Sequence, residues 1–334
     1  MNIQENVNLA SFNSFGVASQ ARHFGTVTSV AELEFALDFA EKQRLPVHIL
    51  GGGSNTLFVA DYPGLVLRIA IAGIEPLEAP GQLRIGAGEE WHHLVMHSLK
   101  KELYGLENLA LIPGLCGAAP IQNIGAYGVE LEQFFVSLEA FNLATREIKT
   151  FDDDACEFGY RDSLFKQPGN PWVVLSLTLQ LHTEPAPVLT YPALVEALGT
   201  ATPTPQQIFD SVCAIRSSKL PDPAKLGNAG SFFKNPVVSR DKYQSLKADH
   251  PDLPCYDTED ADLVKLPAAW LLDTLGWKGR QRGSAAVHDQ HALVLVNPGD
   301  ASGEDILLLA QEMSTSVLEK FGIALVPEVH LISG

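Results

Sequence analysis

The 334-residue chain is poor in sulfur, with four cysteines and three methionines. Cys116, Cys156, Cys213 and Cys255 lie far apart without a CxxC pair. That supports neither a zinc ribbon nor a redox dithiol. No run approaches the ~18 apolar residues of a membrane helix. The opening stretch, MNIQENVNLASFNSFG, has neither a basic nor an apolar leader region. A reduced cytoplasmic protein with free thiols is the expectation. Positive charge is also scarce, at 23 Lys and Arg against 40 Asp and Glu, for a net −17. This balance argues against a general nucleic-acid binder, though it permits a local basic pocket for a phosphorylated ligand. The phosphate loop GxxxxGK[ST] is missing, and no GxGxxG opens a helix. HExxH is missing too. His93 and His97 have the right spacing, but Leu94 stands where the glutamate would be. These two and His92 are expected to be packed or solvent-facing, and no metal is expected.

What is present is a central uncharged loop, LIPGLCGAAPIQNIGAYG (111–128), with Gly114, Gly117, Gly125, Gly128, Pro113 and Pro120. Such a stretch is a poor helix and a poor strand. It is too apolar for disorder. Long loops inside compact domains are usually functional. It reads as a cradle for a large, flat, phosphate-bearing cofactor, with a buried structural loop as the other reading. Cys116 inside it reads as a packed thiol. A second island, GGGSN (51–55), follows a short strand at 47–50 and precedes strand-like TLFVADYPGLVLRI. It is either a nest of backbone amides for a pyrophosphate or a tight strand–strand turn.

The length sets a prior of ~2 domains. A helix is expected over 29–44, with capping-box spacing at Ser29 and Glu32 and an apolar stripe of Leu33, Ala36, Leu37 and Ala40. A strand at 83–88 and a helix at 89–102 follow. A strand pair over 134–151 turns near 144–145, and a strand at 173–181 presents Val173, Leu175, Leu177, Leu179 and Leu181 to one side. Tyr62-Pro63-Gly64 reads as a turn. EPAP (184–187) reads as the linker that divides the chain. Beyond it, helices are expected over 204–218, 266–275 and 302–321, and strands over 292–296 and 326–332. Strands and helices alternate, so the class is α/β or α+β.

Arg161 in GYRDS, Ser231 between Gly230 and Phe232, and Glu328 between Pro327 and Val329 are polar residues in apolar or glycine-rich settings. An arginine, a hydroxyl and a carboxylate could bind an acid, stabilise an enolate and move a proton. Separately they read as an Arg–Asp surface pair, a turn serine and a solvated edge-strand glutamate. Ser231 has no GxSxG context for a hydrolase nucleophile.

Taken together, the motifs NSFG (13–16), ILGGGSN (49–55), GLENLALIPGLCGAAPIQNIGAYG (105–128), FGYRDSLFK (158–166), RSSKLPDP (216–223), GNAGSFFKNP (227–236), AAVHDQHALVLVN (285–297) and PEV (327–329) resemble the UDP-N-acetylenolpyruvylglucosamine reductase family. They occur in family order and cover nearly the whole chain. The segment around Thr190-Tyr191-Pro192 resembles the longer type, with a tyrosine loop. The resemblance implies an α+β chain with the FAD-binding fold of the vanillyl-alcohol oxidase and p-cresol methylhydroxylase type. Its FAD domain would span 1–187, in lobes of about 1–68 and 69–187. A substrate domain would span 188–334, its last strand packing back towards the flavin.

The resemblance also implies non-covalent FAD held by Gly51, Gly53, Ser54, Asn55, Pro113, Gly114, Gly117, Pro120, Gln122, Asn123, Gly125, Ala126, Tyr127 and Gly128. NADPH would be the co-substrate. Arg161 and Glu328 would offset enolate charge, and Ser231 would donate the proton, with Lys219 or Lys234 as a neighbour by type. Tyr191, Lys219 and Asn235 would contact the UDP-sugar, and Arg216 a flavin or nucleotide phosphate. A position near Gln290-His291 would contact the substrate diphosphate, and His291 stands there where the close pattern has Gln. A cytoplasmic monomer making a peptidoglycan precursor is expected, with no nucleic-acid, membrane or obligate protein partner. The alternative is another FAD-dependent oxidoreductase of this fold, acting on a different alcohol or sugar.

Overall fold

The computed structural model describes residues 1–199 and 202–333. The chain forms two compact units. The first comprises Met1–Val7, Ala21–Ser54 and Pro63–Ser218, and the second comprises Asn8–Gln20, Asn55–Tyr62 and the chain from Lys219 onward.

The first unit holds two sheets. One has the order Ile3–Asn8, Gln20–Val27, Tyr62–Ile69, Val47–Leu50. It packs on helix α1, Val30–Gln43, whose buried Leu33, Ala36, Leu37 and Ala40 are the predicted stripe. Ser29 accepts the Glu32 amide at the helix start, and Arg44 ends the helix in the left-handed conformation. The other sheet runs Ile148–Phe151, Phe135–Asn142, Trp172–Gln180, Gln82–Gly86, Ile74–Pro76. It shares a core with α2, Trp91–Lys100, which buries Trp91, Leu94 and Val95. A short α3, Asp153–Cys156, is capped by Asp152. The unit closes with α4, Pro192–Leu198, and α5, Pro205–Lys219.

Two strand expectations change. Tyr62-Pro63-Gly64 opens the strand Tyr62–Ile69 instead of making a turn. Pro63 is tolerated because first strand positions need no ladder donor. The strand Trp172–Gln180 does not keep one face. Its pairing jumps from Glu139↔Ser176 to Ala140↔Val174, leaving Leu175 as a bulge. Val173 and Leu175 therefore enter the α1 core, while Leu177, Leu179 and Leu181 enter the other.

The stretch at 184–187 lies inside the first unit, whose contacts continue to Ser218. The physical reason is α5. Thr204 and Gln207 cap it reciprocally, and its Ile208 and Val212 join Leu194 of α4 in the core around Trp91. Burying each such side chain contributes about 1.5–3 kcal/mol, which ties both helices to this unit.

The second unit has a sheet ordered Gly227–Ser231, Val294–Asn297, Ala285–Val287, Gln281–Arg282. A smaller sheet has the order Val237–Ser239, Leu263–Lys265, Tyr256–Asp257. Helices α6, Arg240–Asp249, and α7, Ala268–Thr274, accompany it. The long α8, Gly303–Phe321, has a capping box at Ser302 and Asp305 and a left-handed Gly322 at its end. It buries Ile306, Leu309, Ala310, Met313, Val317 and Phe321. The last strand is shorter than expected, His330–Ile332, and pairs in parallel with Thr56–Phe58. Before it, Pro327 makes only an isolated bridge to Phe233.

Candidate active site

The first unit brings its two glycine-rich loops together. Ser54 Oγ donates to the Pro113 carbonyl at 3.2 Å. A Cβ on Gly52 would sit 3.2 Å from Gly114 Cα, and one on Gly114 would sit 2.6 Å from Ser54 Oγ. Gly117 lies so close to Ala87 that a Cβ would meet it at 2.5 Å. No charged side chain belongs to either loop. The result is backbone surface that larger residues would fill, as a cofactor cradle requires.

The cradle is anchored from the approach to α2. Cys116 N–H donates to Glu89 O, Gly117 N–H to Ala87 O, and Trp91 N–H to Gly114 O. Trp91 Nε1 donates to Leu109 O at 3.0 Å. His92 was expected to be packed or solvent-facing, and it is packed. Its ring stacks on Phe209 at 5.4 Å between centroids and 7° between planes. Its Nδ1 accepts the Leu111 N–H at 3.0 Å. Burial lowers its pKa. Sequence reasoning missed this link, because α5 and α2 meet only in three dimensions. Cys116 is fully buried, and burial holds its thiol well above the ordinary value.

Leu111, Asn123, Tyr127 and Arg161 all have left-handed backbones, with φ of 59°, 41°, 50° and 54°. For Leu111, Tyr127 and Arg161 this costs roughly 1–2 kcal/mol each, so surrounding contacts must enforce them, whereas asparagine adopts it more readily. Asn123 is enclosed, donating to Glu132 Oε2 at 2.9 Å and accepting the Glu132 N–H at 3.1 Å. Its side chain is thus committed to the loop itself. Pro120 is buried, and Gln122 accepts from Lys166 Nζ at 3.5 Å. Gly125 and Ala126 pair with Val129 and Glu130 in a tight hairpin around Tyr127 and Gly128. Gly128, at φ 85°, leaves no room for a Cβ beside Thr190 Oγ1.

The 158–166 motif packs on this hairpin. Ser163 Oγ donates to Ile121 O at 2.7 Å. Lys166 Nζ donates to the Arg161 carbonyl at 3.0 Å. The Arg161 guanidinium donates to Gly125 O at 2.5 Å and lies 3.6 Å from Glu130 Oε1. Tyr191, exposed at the start of α4, sets its ring edge-to-face against Tyr127 at 5.1 Å. Asn108 donates both to Tyr127 O and to Val188 O, tying that loop to the cradle. Arg216 of α5 donates from Nε to Leu111 O at 3.2 Å. Burial, and more weakly the Arg161 charge, lower its pKa, while Tyr127 and Cys213 oppose that shift. Among the described residues it makes no ion pair.

The other predicted residues belong to the second unit. Ser231 ends a strand whose register shifts between Asn228 and Ser231. Gly230 there has φ 70°, and its N–H donates to Asn228 Oδ1 at 2.9 Å. Such bulges re-aim side chains. Glu328 N–H donates to Phe232 O at 2.8 Å, so Ser231 and Glu328 sit on adjoining segments. Asn55 joins them, donating from Nδ2 to Glu328 O at 3.1 Å and accepting His330 N–H at 2.9 Å. Asn235 Oδ1 accepts the Ala268 N–H at the start of α7 at 2.9 Å. His291 Nδ1 accepts the Leu293 N–H at 3.3 Å, so Nε2 carries the proton of the neutral ring. Burial first, then His288, Lys278 and Lys219, lower its pKa. Lys219 itself is exposed at the end of α5. No group of three His, Cys, Asp or Glu side chains suited to a metal occurs among the described residues. Nor is any described helix long and apolar enough to cross a membrane.

Residues 222–332 match the family described as UDP-N-acetylenolpyruvoylglucosamine reductase, C-terminal domain, and residues 21–152 match the FAD binding domain family. A UDP-N-acetylenolpyruvoylglucosamine reductase from Amoebophilus asiaticus is 44% identical, over 99% of this chain and all of that protein. One from Burkholderia multivorans is 47% identical, over 96% of this chain and 94% of that protein. The solved reductase of that name from Thermus caldophilus aligns over the full length of both chains with TM-score 0.72 and 25% identity. The 6-hydroxy-D-nicotine oxidase of Arthrobacter nicotinovorans, at TM-score 0.55 and 12% identity over 97% of this chain and 86% of that one, shares the fold. The architecture is therefore an FAD-binding domain of the vanillyl-alcohol oxidase type followed by a reductase-type C-terminal domain, and the chain belongs to the UDP-N-acetylenolpyruvoylglucosamine reductase family.

Proposed function

We propose that this chain reduces UDP-N-acetylenolpyruvylglucosamine to UDP-N-acetylmuramate in the cytoplasm, using NADPH and non-covalently bound FAD. The observation that carries this reading is the kinship, at 44–47% identity over nearly the whole chain, with enzymes of that printed name. The meeting of the two uncharged glycine loops at Ser54 and Pro113 fits the cofactor. Gly51, Gly53, Ser54 and Asn55 with Pro113, Gly114, Gly117 and the 120–128 hairpin would hold it, the enclosed Asn123 through its backbone. When bound, the flavin, reduced by NADPH, supplies the hydride for the methylene carbon of the enol ether.

The chain's own groups then manage charge and proton. Hydride addition at the methylene places negative charge on the substrate carboxylate as an enolate. Arg161 carries a fixed cation to offset it, and Glu328 donates a hydrogen bond in its protonated form. Ser231 delivers the proton to the enolate carbon. A serine hydroxyl is a weak acid, so its neighbours must stabilise the alkoxide, and Lys219 and Lys234 are candidates for this by residue type. Tyr191, Lys219, Asn235 and His291 orient the nucleotide, with Arg216 on an anionic group.

The test is an anaerobic absorbance titration, NADPH first and enolpyruvyl UDP-sugar second. Bleaching of a yellow flavin and its return on adding the sugar is the expected result. Bleaching without return would discard this substrate in favour of another alcohol or sugar. Hot acid precipitation should release free FAD, and retention of the flavin in the pellet would count against the non-covalent reading.

A further inference from the structure

The His92 ring contacts both the 111–128 loop and α5. It accepts the N–H of Leu111, and the carbonyl of that same residue accepts from Arg216 Nε. Leu111 is held at φ 59°, a conformation that a leucine does not adopt unaided. Phe209, on which His92 stacks, is seven positions before Arg216 on α5. That is two helical turns, which places both residues on one face. Arg216 is partly buried, senses the Arg161 charge, and makes no ion pair among the described residues. Two guanidinium groups that sense each other, Arg216 beside Tyr127 and without a carboxylate among the described residues, form a site whose cost is relieved by an anion.

We propose that His92 is a positioning residue. Its neutral ring pins Leu111 in the left-handed conformation, and the Leu111 carbonyl in turn aims Arg216 at an anionic oxygen group of the cofactor or substrate. The relay deepens the function proposed above and rests on it for the identity of that anion. The chemistry itself, phosphate or carboxylate oxygens on a held guanidinium, is independent of that identity.

The purified full-length protein is titrated with inorganic pyrophosphate by calorimetry, as wild type, His92→Phe, His92→Leu and His92→Asn, each with and without Arg216→Ala. His92→Phe keeps a ring over Phe209 and removes the acceptor, and His92→Asn restores an acceptor. The expected result is a roughly tenfold weaker dissociation constant for both acceptor-free variants, about the worth of a charge-assisted contact. His92→Asn should stay within about twofold of wild type, and His92→Phe should have no further effect once Arg216 is removed. Equal losses with and without Arg216 would overturn the relay. So would failure of His92→Asn to rescue, or an undetectable wild-type affinity. If one acceptor-free variant does not fold, the other decides. In the same preparations, flavin dissociation and KM for the enolpyruvyl sugar identify which ligand supplies the anion. Absent turnover of that sugar with the pyrophosphate pattern intact would remove the proposed function and leave the relay standing.

Discussion

In the first unit, candidate residues ride on strained loops. Leu111, Asn123, Tyr127 and Arg161 sit at φ between 41° and 59°, held by His92, Glu132, Asn108 and Lys166. In the second unit, Ser231 and Glu328 are carried by strand-type hydrogen bonds, through Val294 and Phe232. The first arrangement presents backbone and needs many staples to do so. The second presents side chains from a ladder that is stable without them. Damage to the first should therefore appear as lost stability and ligand retention, and damage to the second as lost chemistry in a folded protein.

Ser231→Ala is the sharpest break. It should leave reduction of the flavin by NADPH intact and slow sugar reduction by about 10²–10⁴-fold, the usual worth of a positioned acid. Stopped-flow measurement of the two half-reactions separates these, and equal slowing of both would remove Ser231 from proton transfer. In the cradle, Gly117→Ala drives a methyl into Ala87 Cβ at 2.5 Å and its backbone at 3.0 Å. It should cost about 1–3 kcal/mol in urea unfolding and weaken flavin retention. Gly230→Ala, with open space around it and only its φ of 70° to oppose it, should cost about 1 kcal/mol. If Gly230→Ala proved the more damaging of the two to stability, the contrast between units would fail.

Glu107 tests the same contrast through pH. It is 5% exposed, its Oε2 accepts the Gly105 N–H, and its Oε1 has no hydrogen-bond partner among the described residues. Burial raises its pKa, so the folded state favours the neutral acid. Its contribution is full below the unfolded value of about 4.3 and declines as pH rises through the raised folded value. Glu107→Gln keeps an acceptor for Gly105 and should flatten this slope, leaving the protein about 1 kcal/mol more stable at pH 7. A steeper slope in urea unfolding across pH 4–8 would contradict it. His291 gives the smallest effect. Its lowered pKa keeps the ring neutral in the fold, so stability is lost as pH falls below the unfolded value of about 6.5. His291→Gln should abolish that acid-side loss and change KM for the sugar by less than about threefold at pH 8.

Much of this was legible in the sequence. The capping at Ser29, Thr204 and Ser302 is local chemistry, and each helix starts where its cap places it. The close backbone approach at the two uncharged glycine-rich loops was legible because glycine leaves room that any side chain would fill. The bulge at Leu175 was not, because alternation along one strand cannot show that its partner skips a residue. The first unit's extension to Ser218 was hidden for a similar reason. EPAP looks like a linker, and only the burial of Ile208 and Val212 binds α5 to what precedes it. His92 looked bland because its partners, Leu111 and Phe209, are 19 and 117 positions away.

By itself the sequence determined which loops must be glycine-lined and uncharged, where most helices start and stop, and the family. These follow from backbone conformation and nearest neighbours. The tertiary structure alone decided that the 51–54 and 113–114 loops touch, that the last strand pairs with Thr56–Phe58, and that a leucine carbonyl links His92 to Arg216. Those contacts depend on long-range closure of the chain, whose favourable terms are buried surface and satisfied backbone groups that no local window of sequence contains.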